Sequence, residues 1–166
     1  MLENLEKLIR EQAQGAIVNN SDVPNEKNDA AIQAASSSII DTLKEKISSG
    51  DSSGLADIFK RGGDTSSRAV QDVSSNFTNK LQGLGINLDS AKGIAASLIP
   101  LVIEQFTKKT ADPNDSSFNL QDIVSNLAGP DGKFQLSDLG NLFSGDNSAD
   151  GNSENGGIAD KLKGLF

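Results

Sequence analysis

Apolar residues recur along most of this chain at the three- and four-residue spacing of an amphipathic α-helix. The clearest stripe consists of Val70, Val73, Phe77, Leu81 and Leu84. This spacing places all of these side chains on one face of a helix. No stretch alternates between apolar and polar residues as a half-buried strand does. The pattern therefore predicts an all-α fold.

Three other stretches predict helices before that stripe. An N-terminal amphipathic helix precedes a break in the pattern near residue 20. A second helix is predicted over 25–48, because Pro24 suits the first turn of a helix. A short helix is predicted over 55–60, where Gly62 and Gly63 stop it.

The most apolar helix is predicted over 90–108, with Asp89 as its N-cap. Its apolar residues surround nearly the whole helix, so we expect it to be the central, buried helix of a compact domain. Leu98 and Val102 should be almost fully buried. Pro100 lies inside this helix, where a proline removes a backbone hydrogen bond at a cost of about 3 kcal/mol. Packing against other helices must offset that cost.

Residues 129–139, GPDGKFQLSDL, resemble the second half of an EF-hand calcium loop, with Asp131 at its fifth position. Such a loop also needs oxygen ligands at its first and third positions. Leu127 and Gly129 stand there, and an earlier copy of the motif, beginning at Asp115, lacks the same ligands. We therefore predict no calcium site, and the sequence indicates no other metal and no cofactor.

The two copies are better explained as two helix starts, over about 119–128 and 136–143, each fixed by a hydrophobic staple. A staple is a contact between the apolar residue before the N-cap and one in the first turn. In the first copy Asn119 would be the N-cap. The residues of the two predicted starts are Phe118, Asn119, Asp122, Ile123, Phe134, Asp138 and Leu139.

The C-terminal part of the chain differs in composition from the rest. Residues 145–157 are rich in Gly, Asn, Ser and Asp, which predicts a flexible linker. Residues 158–166 carry an apolar stripe that predicts a short amphipathic helix, and this segment is a candidate interaction tail. The stripe consists of Ile158, Leu162, Leu165 and Phe166. We expect a helical domain over 1–144 with about six to seven helices in the chain.

Composition excludes several functions. The chain contains no Cys and no His, so a thiol nucleophile, a thiolate or imidazole metal site and a Ser-His-Asp triad are excluded. Its net charge of −8 argues against nucleic acid as a partner, because phosphate backbones are repelled. The N terminus lacks the features of a secretory signal. The longest apolar run, 94–103, is about half of a membrane span. We expect a cytoplasmic protein.

Two segments resemble the YidB-like bacterial family, a domain of unknown function. They are VPNEKNDAAIQAASSSIIDTLKEKI and GLGINLDSAKGIAASLIPLVIEQFTKKTADPNDSSFNLQDIV, and the resemblance spans about residues 20–143. The words LIPLVIEQFT and TADPNDSSFNL carry most of it. The resemblance implies an all-helical bacterial domain with no established activity, and it brings no functional residues.

The sequence favours a non-catalytic helical module that binds protein or associates with itself. One alternative is a carboxylate-dependent hydrolase that uses Asp112 and Asp115 beside Asn114, although these residue types also form turns. Another alternative is a protein that binds the membrane periphery through its first helix or its tail. No phosphate-binding loop is present, because Gly62 and Gly63 are not followed by Lys and Ser or Thr.

Overall fold

The computed structural model describes residues 2–112, 114, 118, 119 and 123. This part of the chain contains α-helices and no β-strand, so the predicted all-α fold is confirmed. The α-helices are α1 (Leu2–Ala13), α2 (Asn28–Ser49), α3 (Ser52–Arg61), α4 (Arg68–Gly83) and α5 (Leu88–Ala111). A π-helical turn, Gln14–Val18, continues α1, and a 3-10 turn, Asn25–Lys27, precedes α2.

The four long helices form a closed ring. Helix α1 packs against α2 and α5, and α4 packs against the same two helices from the other side, most extensively against α5. Helix α3 contacts α2, α4 and α5. A ring of this kind encloses one hydrophobic core, which the inward apolar stripes of the helices fill.

Polar pairs fix how α2 and α4 lie against each other. As the residue number rises along α4, the number of its partner on α2 falls, so the two helices run antiparallel. The pairs are Lys46–Asp72 with 3.2 Å between nitrogen and oxygen, Asn76–Thr42 at 3.1 Å and Lys80–Asp41 at 2.7 Å.

Helix α5 supplies much of the core. Leu98 and Val102 are each 0% exposed, as predicted. The helix is not covered on every side, however, since Leu101 is 47% exposed. Leu101 lies about 60° around the helix from Leu98 and about 100° from Val102, at the edge of the buried face, and here that edge meets solvent.

Two helix starts differ from the sequence predictions. Helix α3 begins at Ser52 rather than at residue 55, because the carboxylate of Asp51 accepts a hydrogen bond of 2.8 Å from the backbone N–H of Gly54. Helix α5 is capped by Asn87, whose side-chain oxygen accepts from the N–H of Ser90 at 2.9 Å. The predicted cap, Asp89, lies instead in the first turn, where a carboxylate interacts favourably with the helix dipole.

One end of the ring is closed by three phenylalanines. The rings of Phe59 on α3 and Phe106 on α5 are 6.1 Å apart between centroids. Phe118 meets Phe106 edge to face, with centroids 5.6 Å apart and an interplanar angle of 88°. Edge-to-face contact is a favoured arrangement of aromatic rings. Phe118 therefore brings the chain beyond α5 back onto the core.

Candidate interaction groove

A groove of about 530 Å³ runs between α4 and α5 on the surface of the ring. It begins near the start of α5 and ends at the turn between α3 and α4. We call it the α4–α5 groove. It is lined by Thr65, Val70, Gln71, Ser74, Ser75, Thr78, Asn79, Leu88, Lys92, Ala95, Ala96 and Pro100.

The wall that α4 contributes carries short polar side chains, yet two of its hydroxyls are already used. Ser74 Oγ donates to the carbonyl of Val70 at 2.8 Å, and Thr78 Oγ1 donates to the carbonyl of Ser74 at 2.8 Å. Such bonds satisfy the hydroxyl within its own helix. The wall therefore presents methyl and methylene groups to the groove in addition to polar atoms.

The wall that α5 contributes is made of small and apolar residues. Ala95 and Ala96 leave space beside α4, and Leu88, which is 44% exposed, stands at one end. Pro100 stands near the other end. Since proline has no backbone N–H, the carbonyl of Ala96 cannot receive the usual hydrogen bond from the residue four positions later.

Gly63 fixes the position of the turn that closes the groove. A Cβ atom on this residue would overlap the carbonyl oxygen of Pro100. Only glycine allows the backbone before α4 to come this close to α5. The turn is thus held directly on the proline, and Thr65, two residues later, becomes part of the lining.

Charge is sparse in the groove itself and present on its rim. Lys92 is the charged side chain among the lining residues that the structure describes. Asp89 and Glu104 lie on the same ridge of α5 as Ala96 and Pro100. Positions 89, 96, 100 and 104 are seven, four and four residues apart, and such intervals return to one side of a helix. The ridge is therefore acidic at its Asp89 end, while at its other end the carboxylate of Glu104 is paired with Lys108 at 2.6 Å.

A second depression, of about 640 Å³, lies over α2 and differs in character. Lys80 spans it, since its ammonium donates to Ser37 Oγ and to Asp41 Oδ2, each at 2.7 Å. A charged side chain with its partners already occupies this surface, so an apolar ligand would have to displace an ion pair. The α4–α5 groove has no such occupant among the described residues.

Lys46 is a largely buried cation that lies between two carboxylates. Its side chain is 12% exposed, and its ammonium lies 3.4 Å from Asp51 Oδ2 and 3.2 Å from Asp72 Oδ2. Burial works to lower the pKa of Lys46, but the hydrogen bonds and charges of Asp72 and Asp51 outweigh it and raise the pKa above its ordinary value. The backbone N–H of Gly54 and then Lys46 lower the pKa of Asp51. This cluster ties α2 to α3 and α4.

Several predicted site residues lie among the described ones. Phe118 and Ile123 are both buried, and the N–H of Ile123 donates to the carbonyl of Asn119 at 2.9 Å. That bond has the spacing of a first helical turn. Both staples stay predictions. The remaining predicted site residues lie outside the described part: Asp122, Phe134, Asp138, Leu139, Ile158, Leu162, Leu165 and Phe166. The predicted linker over 145–157 lies outside it too.

The acidic cluster of the hydrolase alternative is only partly described. Asp112 Oδ1 accepts from the backbone N–H of Asn114 at 2.9 Å, which is a turn-forming bond. Asp115 lies outside the described residues. Within the described residues, no group of three or more acidic side chains is placed so as to hold a metal ion. None of the helices described has both the length and the apolar character needed to cross a membrane.

Comparison of the chain with family models, with curated proteins and with solved structures found no match. The α4–α5 groove is a surface feature of the described residues that can support a function. The pattern of apolar and polar residues along the chain does not predict it. The available signal was the pair Ser74 and Ser75 on an otherwise well-formed amphipathic helix, since small residues leave space next to a neighbouring helix.

Proposed function

We propose that this protein is a non-catalytic helical module whose α4–α5 groove binds a short amphipathic helix. The groove itself carries the proposal, since it is a largely apolar trough between two exposed helix edges. Binding an amphipathic helix in such a trough is a common mode of peptide recognition, in which apolar side chains at helical spacing enter the groove.

The dimensions of the groove suit a helix of about three turns. Its lining on α5 extends from Leu88 to Pro100. At 1.5 Å per residue this stretch is about 18 Å long. The small side chains of Ala95 and Ala96 on one wall and Ser74 on the other let the backbone of a third helix come close. Leu88 would then cover one end of the bound helix.

The resemblance to the YidB-like family is part of the same proposal. It implies an all-helical domain without established activity, which agrees with a binding role. The hydrolase and the membrane-peripheral protein stay as alternatives, and neither has a specific contact of the described residues in its favour.

A model peptide tests the proposal directly. We would titrate the isotope-labelled full chain with a synthetic Leu/Lys amphipathic helix and follow the backbone amide signals by NMR. We expect the largest changes at Ser75, Thr78 and Ala96. The variant Ala96→Arg should weaken binding by about tenfold or more, because it fills the groove with a charge, while Gln33→Arg on the exposed surface of α2 should not.

The two variants also define the contrary result. If Gln33→Arg abolishes binding and Ala96→Arg does not, the peptide binds over α2 and the α4–α5 groove is not the site. If no amide signal changes at peptide concentrations up to about 1 mM, which corresponds to about −4 kcal/mol, either in the full chain or in the full chain carrying Leu162→Asp in its C-terminal apolar stripe, the binding role itself is wrong.

A further inference from the structure

We propose that the occupant of the α4–α5 groove is the chain's own segment 158–166. This inference rests on the proposed function and names its ligand. The segment would cover the groove of the molecule to which it belongs, and a partner helix would have to displace it. Four observations support this assignment: the pattern of the segment, its length, its charge and its tether.

The pattern of the segment matches what the groove requires. Ile158, Leu162, Leu165 and Phe166 fall on one side of a helix, because offsets of four, seven and eight residues from Ile158 lie within one apolar stripe. The nine residues of 158–166 would form a helix about 13 Å long. The lined part of α5 is about 18 Å long by the same rise per residue, so the whole stripe fits within it.

The charges of the segment suit the rim of the groove. With two lysines against one aspartate, 158–166 is locally basic in a chain whose net charge is −8. On a helix, Lys161 and Lys163 flank the apolar stripe on opposite sides. The α5 ridge beside the groove carries Asp89 at one end, whereas Glu104 at the other end is paired with Lys108 at 2.6 Å, and Lys92 lines the groove itself. Charge therefore favours the direction of docking that places a lysine of the segment toward Asp89 and away from Lys92.

The chain between the core and the segment is long enough to allow docking. Ile123 is buried in the core, and 34 residues, 124–157, separate it from Ile158. A chain of that length can span up to about 110 Å when extended, several times the length of the groove. Because segment and groove belong to one molecule, docking is intramolecular and independent of protein concentration.

The absence of cysteine from the chain makes a disulfide-trapping experiment clean. We would place one cysteine in the segment, Ala159→Cys, which borders the apolar stripe. The second would be Ser75→Cys on the α4 wall or, because the direction of docking is open, Ala96→Cys on the α5 wall. The matched control pairs Ala159→Cys with Gln33→Cys, an exposed position on α2.

In the full chain under mild oxidation, we expect a disulfide within one molecule to form about tenfold faster for at least one groove pair than for the control pair. Adding Leu162→Asp should remove this difference, because it places a charge in the apolar stripe. Adding Leu162→Met should preserve it, because methionine keeps the apolar character.

Three outcomes would overturn the proposal. Equal rates for the groove pairs and the control pair would show that the segment has no preference for the groove. A preference that Leu162→Asp leaves intact would show that the stripe does not cause it. Disulfides that join two molecules would identify a second copy as the occupant instead.

The peptide titration separates these failures from failure of the proposed function. If the Leu/Lys peptide binds in the groove while trapping shows no preference, the binding role stands and the occupant belongs to another molecule. If neither binding nor trapping is observed, both the role and its ligand are wrong.

Discussion

Replacing Leu98 by alanine tests the packing of α5 most directly, and the same helix provides the control. Leu98 is 0% exposed, whereas Leu101 is 47% exposed three residues later. Both residues lie well inside α5. The change in helix propensity from leucine to alanine is therefore the same at the two positions and cancels in their comparison.

The expected magnitudes differ because only one substitution leaves a cavity. Leu98→Ala removes a fully buried side chain, which costs about 2–5 kcal/mol including the cavity term. In a chain of this size that corresponds to a fall in Tm of about 6–12 °C for a loss near 3 kcal/mol. Leu101→Ala removes a half-exposed side chain and leaves no cavity, so it should cost about 1 kcal/mol or less.

Urea denaturation followed by circular dichroism measures both losses, with the m-value as a check that the unfolding transition is of the same kind in all three proteins. Equal losses for the two variants, or a larger loss for Leu101→Ala, would show that the buried face of α5 is assigned to the wrong side. The ring arrangement and the α4–α5 groove would then both have to be abandoned.

The remaining predictions concern single positions. Gly63→Ala should lower stability by about 1–3 kcal/mol, because its Cβ would overlap the carbonyl of Pro100. Gly93→Ala should raise stability by about 1 kcal/mol, because that position on α5 is open. Urea midpoints measure both changes. Because folding raises the pKa of Lys46, this residue contributes stability that is complete below pH 10.5, its ordinary pKa, and that is lost as the pH rises through the folded pKa. The Lys46→Met variant should therefore lack this alkaline loss when urea midpoints are measured at pH 9 and pH 11. Because folding lowers the pKa of Asp51, this residue contributes stability that is complete above pH 3.8, its ordinary pKa, and that is lost as the pH falls through the folded pKa. The urea midpoint of Asp51→Asn should therefore fall less in acid than that of the unchanged chain.

The helices could be predicted from the sequence because their apolar residues carry the helical period. The stripe from Val70 to Leu84 places α4 within one or two residues of its observed bounds. Helix ends were harder, since several residues can cap and only geometry chooses among them. Asn87 caps α5 although Asp89 is also a good cap, and Asp51 starts α3 inside a stretch rich in serine and glycine.

The groove could not be predicted because it depends on which helices become neighbours. Apolar residues around nearly the whole of α5 indicate burial without indicating which side stays uncovered. The exposure of Leu101 and of Leu88 follows from the ring, in which α5 has α4 on one side, α1 on the other and α3 against part of its length, and keeps part of its surface in solvent. That arrangement is fixed by tertiary contacts such as the one between Gly63 and Pro100.

The small residues of α4 and α5 explain why a trough persists between two closely packed helices. Serine at positions 74 and 75 lowers the helix propensity of α4, and alanine at 95 and 96 contributes little apolar area to packing. A chain that needed only stability would gain from larger side chains at these positions, because they would fill the trough and bury more surface. Under the proposed function the volume is filled instead by a helix that can leave. Ala96, unlike the buried Ala95, is exposed in the trough. The Ala96→Leu variant should therefore raise the stability of the chain while it weakens peptide binding, and a variant that improves both would contradict this account of the groove.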